Sequence, residues 1–153
     1  MAVLISYRQK TRWIKNRKVK KSLEKVLKDL GYDDKELSVL FTDDDHIADL
    51  NSHYLDRTGP TNVLAFPMQD DKNGVSGLLG DIVVSIETAL READEFNEKP
   101  EITVRRLLIH GLLHLIGYDH ETSDSEAELM EREERRLFNL LEEDGTQNGT
   151  VSC

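Results

Sequence analysis

Cysteine is nearly missing from this chain: Cys153, the last residue, is the only one, so neither an internal disulfide nor a cysteine metal cluster is available. Any metal site must therefore use histidine and carboxylate. Long apolar runs are missing as well. Nothing approaches the roughly 18 apolar residues of a membrane span, and the opening MAVLISYRQK meets charge too early for a secretory signal. A cytoplasmic protein with no membrane partner is expected. No internal repeat or low-complexity block interrupts the sequence. What is present is a polar but foldable composition, 38% hydrophobic and 33% charged over 153 residues, which suits a single domain.

The net charge of −10 argues against strong non-specific binding to nucleic acid, which draws on Lys and Arg. The average conceals an asymmetry. From Arg8 to Lys28 the only acid is Glu24, among Arg8, Lys10, Arg12, Lys15, Arg17, Lys18, Lys20, Lys21, Lys25 and Lys28, whereas Asp119 to Asp144 is dominated by acids. The basic segment is either a solvated helix face or a surface that follows a phosphate backbone.

VLISY (3–7) reads as a strand, and Trp13, Ile14, Val19, Leu23, Val26, Leu27 and Leu30 recur at helical spacing up to Gly31. LSVLFT (37–42) reads as a second strand. Thr42 and Asp43 to Asp45 then offer a cap and first-turn acids to a short helix through Ile47, Leu50 and Tyr54. After Gly59-Pro60-Thr61, Val63 to Phe66 forms a strand closed by Pro67, and a polar stretch over 69–77 separates it from a strand over Ile82 to Ile86. Helices are expected over Glu87 to Phe96 and Glu101 to Ile116, the second apolar on nearly every side and hence buried. A capping box at SDSE (123–126) opens a last helix, with Met130, Leu137 and Leu141 facing the core. The expected architecture is α/β (α+β): one domain over 1–144, with about four strands in a mixed sheet packed with about five helices. A disordered tail is expected over 145–153.

The segment HGLLHLIGYDH (110–120) carries three of the five histidines. Residues four apart share a helix face, so His110 and His114 can present imidazoles to one ion. Gly117 sits where a positive φ ends a helix, letting the chain swing His120 back to the same point. Three neutral imidazoles leave a tetrahedral zinc one open position, the layout of a catalytic site, where bound water has a pKa of about 7. One zinc ion on the central buried helix, held by His110, His114 and His120, and a hydrolytic reaction are therefore expected. Asp119 either orients a histidine or ends the turn. His46 and His53, elsewhere and ungrouped, read as ordinary surface or partly buried residues. The spacing resembles the metzincin motif HExxHxxGxxH, but Gly111 stands where those proteases carry their general-base glutamate, which removes most support for peptide cleavage.

HGLLHLIGYDH also resembles the signature of the YbeY family of bacterial endoribonucleases. LNSHYLDRTGPTNVLAFP (50–67), above all Pro60 to Phe66, resembles that family's second block, and LLGDIVVSI (78–86) its third, in the same order. The resemblance implies a zinc-dependent, single-strand-selective endoribonuclease acting in ribosomal RNA maturation and ribosome quality control. Its partners would be single-stranded or ribosomal RNA, and ribosomal proteins. Two positions depart from the family pattern: Leu55 follows Tyr54 where an arginine thought to engage phosphate is usual, and Thr58 stands where Asp is frequent. Arg57 is the candidate catalytic residue to replace that arginine; its other reading is a solvated loop residue. On the endoribonuclease reading the acidic C-terminal helix is expected to face away or to meet a protein partner. The alternatives are a metal hydrolase of peptides or small phosphoesters, and a non-catalytic ribosome-assembly factor with a structural zinc.

Overall fold

The structure, a computed structural model, describes residues 3–7, 16–68, 77–118 and 123–147. Its elements run β1 (Val3–Tyr7), α1 (Asn16–Leu30), β2 (Glu36–Thr42), α2 (Asp44–Leu55), β3 (Val63–Pro67), β4 (Leu78–Ser85), α3 (Ile86–Glu95), α4 (Pro100–Leu115) and α5 (Asp124–Gln147). The four strands form one sheet in the order β1-β2-β4-β3. β1 and β4 run parallel to β2, and β3 pairs antiparallel with β4. Among the described residues this is the expected α+β domain with a four-stranded mixed sheet and five helices. Trp13 and Ile14, the polar stretch over 69–76, Asp119 and His120 lie outside the described residues.

Strand alternation sorts the core into two sides. Leu37, Val39 and Phe41 of β2 and Ile82 and Val84 of β4 pack with residues of α1, α3, α4 and α5. Leu40, Leu64, Phe66 and Val83 point the other way and are covered by Ile47 and Leu50 of α2. α4 is the central helix, with Val104, Leu107, Leu108, Ile109, Leu112 and Leu113 all buried. It lies against the sheet where Gly111 has no side chain: a Cβ there would sit 3.0 Å from Ile82 Cγ2 and 3.3 Å from Val63 Cγ2.

Several boundaries differ from the periodicity reading, for non-local reasons. β4 begins at Leu78 rather than Ile82, because pairing with β2 extends it past Gly80. Gly80 has φ +155°, and a Cβ on it would lie 2.6 Å from the Phe66 carbonyl oxygen and 2.8 Å from Leu115 Cδ2. Ile86 opens α3 instead of closing a strand, because Ser85 caps the helix by accepting from the Thr88 N–H at 3.3 Å. α5 continues through Gly145 to Gln147, so the first three residues of the expected tail are helical, an interior glycine costing a helix only about 1 kcal/mol; residues 148–153 lie outside the described set.

Asp43 caps α2, its carboxylate accepting from the His46 N–H at 2.9 Å. The next residue, Asp44, ties α2 to the start of α3. It accepts from Ser85 Oγ and Thr88 Oγ1, each at 2.6 Å, and pairs with Arg91 Nη2 at 2.9 Å. Burial alone would push its carboxyl up, but the two hydroxyls and the guanidinium outweigh burial and hold it below the ordinary value. A carboxyl depressed by folding contributes stability that is fully present above its unfolded value of about 3.9 and is lost as pH falls through the folded value. Asp44→Asn should therefore lower urea stability near neutral pH, and its deficit against wild type should shrink below about pH 4; a constant deficit across that range would contradict the assignment. Gly80→Ala, which combines a strained φ with a backbone collision, should cost about 1–3 kcal/mol by chemical denaturation.

Candidate metal centre and cleft

His110 and His114 lie on α4, one turn apart, with their Nε2 atoms 3.2 Å from each other. Two imidazole nitrogens bound to a tetrahedral zinc at about 2.0–2.1 Å stand about 3.3 Å apart, so the pair fits such an ion. The rings meet edge to face with centroids 4.7 Å apart. His110 turns its other nitrogen, Nδ1, to Glu134 Oε2 of α5 in a short hydrogen bond. A carboxylate taking the Nδ1–H fixes the tautomer that leaves a lone pair on Nε2, the usual orienting partner of a metal-binding histidine. Among the described residues no further His, Cys, Asp or Glu joins the two histidines in a ligand group. His120 and Asp119 lie outside those residues; before them the chain leaves α4 through Gly117, at φ +108°, with Gly117 N–H bonded to His114 O and Tyr118 N–H to Leu113 O.

The histidines open onto a cleft of about 590 Å³, bounded on one side by Thr61 to Ala65 and Pro67 of β3 and its approach, and on the other by His110, Gly111, His114, Gly117 and Tyr118. β3 is an edge strand. Ser85 N–H donates to Asn62 O and Met68 N–H to Leu79 O, so antiparallel alternation turns the amides of even-numbered β3 residues towards β4. Val63 and Ala65 therefore present their N–H and C=O groups to the free edge; Pro67 has no N–H to present.

Leu55 and Arg57 complete the wall of this cleft, so the arginine and the two histidines line one space. The local fold explains how. α2 ends at Asp56, in the left-handed conformation at φ 56°, and Arg57 N–H returns to Asn51 O at 3.2 Å. Asn51, only 5% exposed, then holds the loop by donating from Nδ2 to Gly59 O at 2.9 Å. The described wall carries no carboxylate. A second opening, on the α5 side of His110, is lined by Asp124, Glu128, Glu131 and Glu134. The acidic helix thus faces the site rather than away from it, because α5 packs on α4 and carries Glu134 to His110.

His46 and His53 stay apart from this centre: His46 Nδ1 pairs with Thr42 Oγ1 at 3.0 Å, and exposed His53 lies edge-on to Tyr54. The basic helix α1 packs on β1, the sheet edge opposite β3, some three strand spacings or about 14 Å away. None of its described lysines lines the cleft. Sequence reasoning missed Glu134, which is one acid among many in α5, and Asn51, whose signal lies only in its burial.

The family model described as endoribonuclease YbeY matches residues 4–142. A protein named endoribonuclease YbeY from Geobacter metallireducens is 42% identical over 148 residues, covering 95% of this chain and 99% of that protein. Its namesake from Geobacter sulfurreducens is 44% identical over 148 residues, with the same coverage of 95% and 99%. One from Aquifex aeolicus is 42% identical over 132 residues, 86% of this chain and 85% of that one. A solution structure from Thermotoga maritima superposes with a TM-score of 0.66 at 27% identity, covering 95% of this chain and 93% of that one.

If these nitrogens hold a metal, His114→Ala should abolish stoichiometric zinc binding while leaving a folded domain, and Glu134→Gln should weaken zinc affinity about 10–100-fold. Both are read by competition with a chromogenic chelator; full zinc occupancy in His114→Ala would dismiss the assignment.

Proposed function

The chain belongs to the endoribonuclease YbeY family of hydrolases, and on that premise we propose that it is a zinc-dependent endoribonuclease that cuts single-stranded RNA in ribosomal RNA maturation and ribosome quality control. His110, His114 and His120 would hold the ion, which supplies a water of lowered pKa and polarisation of a phosphoryl oxygen. Glu134 accepts from His110 Nδ1–H and so leaves the Nε2 lone pair as the metal-binding one. Arg57 offsets the charge of the phosphodiester. The open edge of β3 offers the Val63 and Ala65 amides to an extended chain in the cleft. A cytoplasmic location and contact with ribosomal proteins belong to the same reading; no described helix is long and apolar enough to cross a membrane.

The observation that carries this reading is the shared cleft: Arg57 and both histidines line one space whose described wall has no carboxylate, while the carboxylates cluster on the α5 side of His110. A polyanion is thereby drawn along β3 and repelled from α5. None of the described α1 lysines lines that space.

Metal-loaded protein should cleave single-stranded oligoribonucleotides and spare duplexes, and a chelator should abolish the reaction. Arg57→Ala should reduce kcat by about 10–100-fold, whereas replacing Lys20, Lys21 and Lys28 of α1 by glutamine should change it by less than about threefold. Equal cleavage with and without chelator would refute metal dependence.

A further inference from the structure

Tyr54 is 63% exposed, the most exposed of the large hydrophobic side chains among the described residues. It sits in the last turn of α2, directly before Leu55, which lines the cleft, and three positions before Arg57, which also lines it. Its ring is braced. Phe66 meets it edge to face at 5.6 Å between centroids, and His53 does so at 4.6 Å. Phe66 packs on the α2 face of the sheet while its β3 neighbours Ala65 and Pro67 line the cleft on the α4 face, so the braced tyrosine stands across the β3 edge from the histidines, where it lines a shallow opening with His46, Asp49 and Leu50. One residue step along that strand is about 3.4 Å.

An aromatic ring left in water one residue from the wall of a cleft, and held by two other rings, is preorganised to stack on a flat apolar partner, because little side-chain entropy remains to be lost. The neighbouring cation and the free amides of Val63 and Ala65 specify what that partner is attached to: an extended anionic chain. A nucleobase next to a phosphodiester meets both requirements, and only an unpaired base can turn its face to a side chain. We propose that Tyr54 is a stacking platform for one nucleobase flanking the scissile phosphate, and that it contributes to the preference for single strands. Tyr54 is a positioning residue and touches none of the reacting groups. The proposal rests on the endoribonuclease reading.

The test is a binding cycle on the full-length zinc-loaded protein, using a fluorescein-labelled single-stranded oligonucleotide of 2′-O-methyl ribonucleotides, which resists cleavage, and a series in which one base at a time is replaced by an abasic site. Tyr54→Ala should weaken binding of the intact strand about tenfold, the scale found when a stacking aromatic is removed, and Tyr54→Phe should restore it. At one position the abasic substitution should weaken wild type about tenfold yet leave Tyr54→Ala nearly unchanged. A merely structural role would make the two losses multiply at every position, and that result overturns the platform, as does unchanged binding by Tyr54→Ala. Wild type that binds no single strand at all would overturn the endoribonuclease reading and the platform with it, whereas wild type that binds and is indifferent to Tyr54 overturns the platform alone.

Discussion

The close approach of α4 to the sheet governs everything built around the two histidines. Gly111 brings the helix within van der Waals contact of Ile82 and Val63, and Gly80 lets β3 and the last turn of α4 close on the same strand. A Cβ at Gly80 would collide with the Phe66 carbonyl oxygen, and one at Gly111 would press tightly on Ile82. The helix is thereby seated at the β3 edge, and His110 and His114 open onto a cleft whose opposite wall is the edge strand, with the Val63 and Ala65 amides turned away from β4. The same contact makes position 111 a packing position, where any side chain would press on Ile82 and Val63.

Around that seat, charge is sorted by helix. α5 brings Glu134 to the far nitrogen of His110 and, with it, three further acids to that side of the ring. α2 brings Arg57 to the near side, through a left-handed Asp56 and the buried amide of Asn51. The cleft therefore has one direction from which an anion is welcome. Tyr54, exposed in the last turn of α2, directly precedes Leu55, the first of the two residues that the end of α2 gives to that wall.

The departure at Leu55 takes its meaning from this arrangement. A leucine replaces the arginine expected after Tyr54, yet the turn that ends α2 puts Leu55 and Arg57 in the same wall. A side chain two positions later can reach the same space because the chain reverses there. The basic α1, by contrast, lies over β1 at the opposite margin of the sheet, and its cluster of lysines is a property of that margin.

By itself the sequence determined what depends on neighbours along the chain: the order and type of the elements, the burial of α4, and the pairing of His110 with His114 on one helix face. Helical and strand periods are local, and so is a spacing of four. Strand and helix ends shifted where a distant partner intervened, as when β2 extended β4 back to Leu78 and Ser85 capped α3 at Ile86. Glu134 at His110, Arg57 in the cleft and α1 away from it were decided only by tertiary structure. Which of many similar acids or lysines meets a given group is set by how helices stack on a twisted sheet, and no spacing along the chain records that.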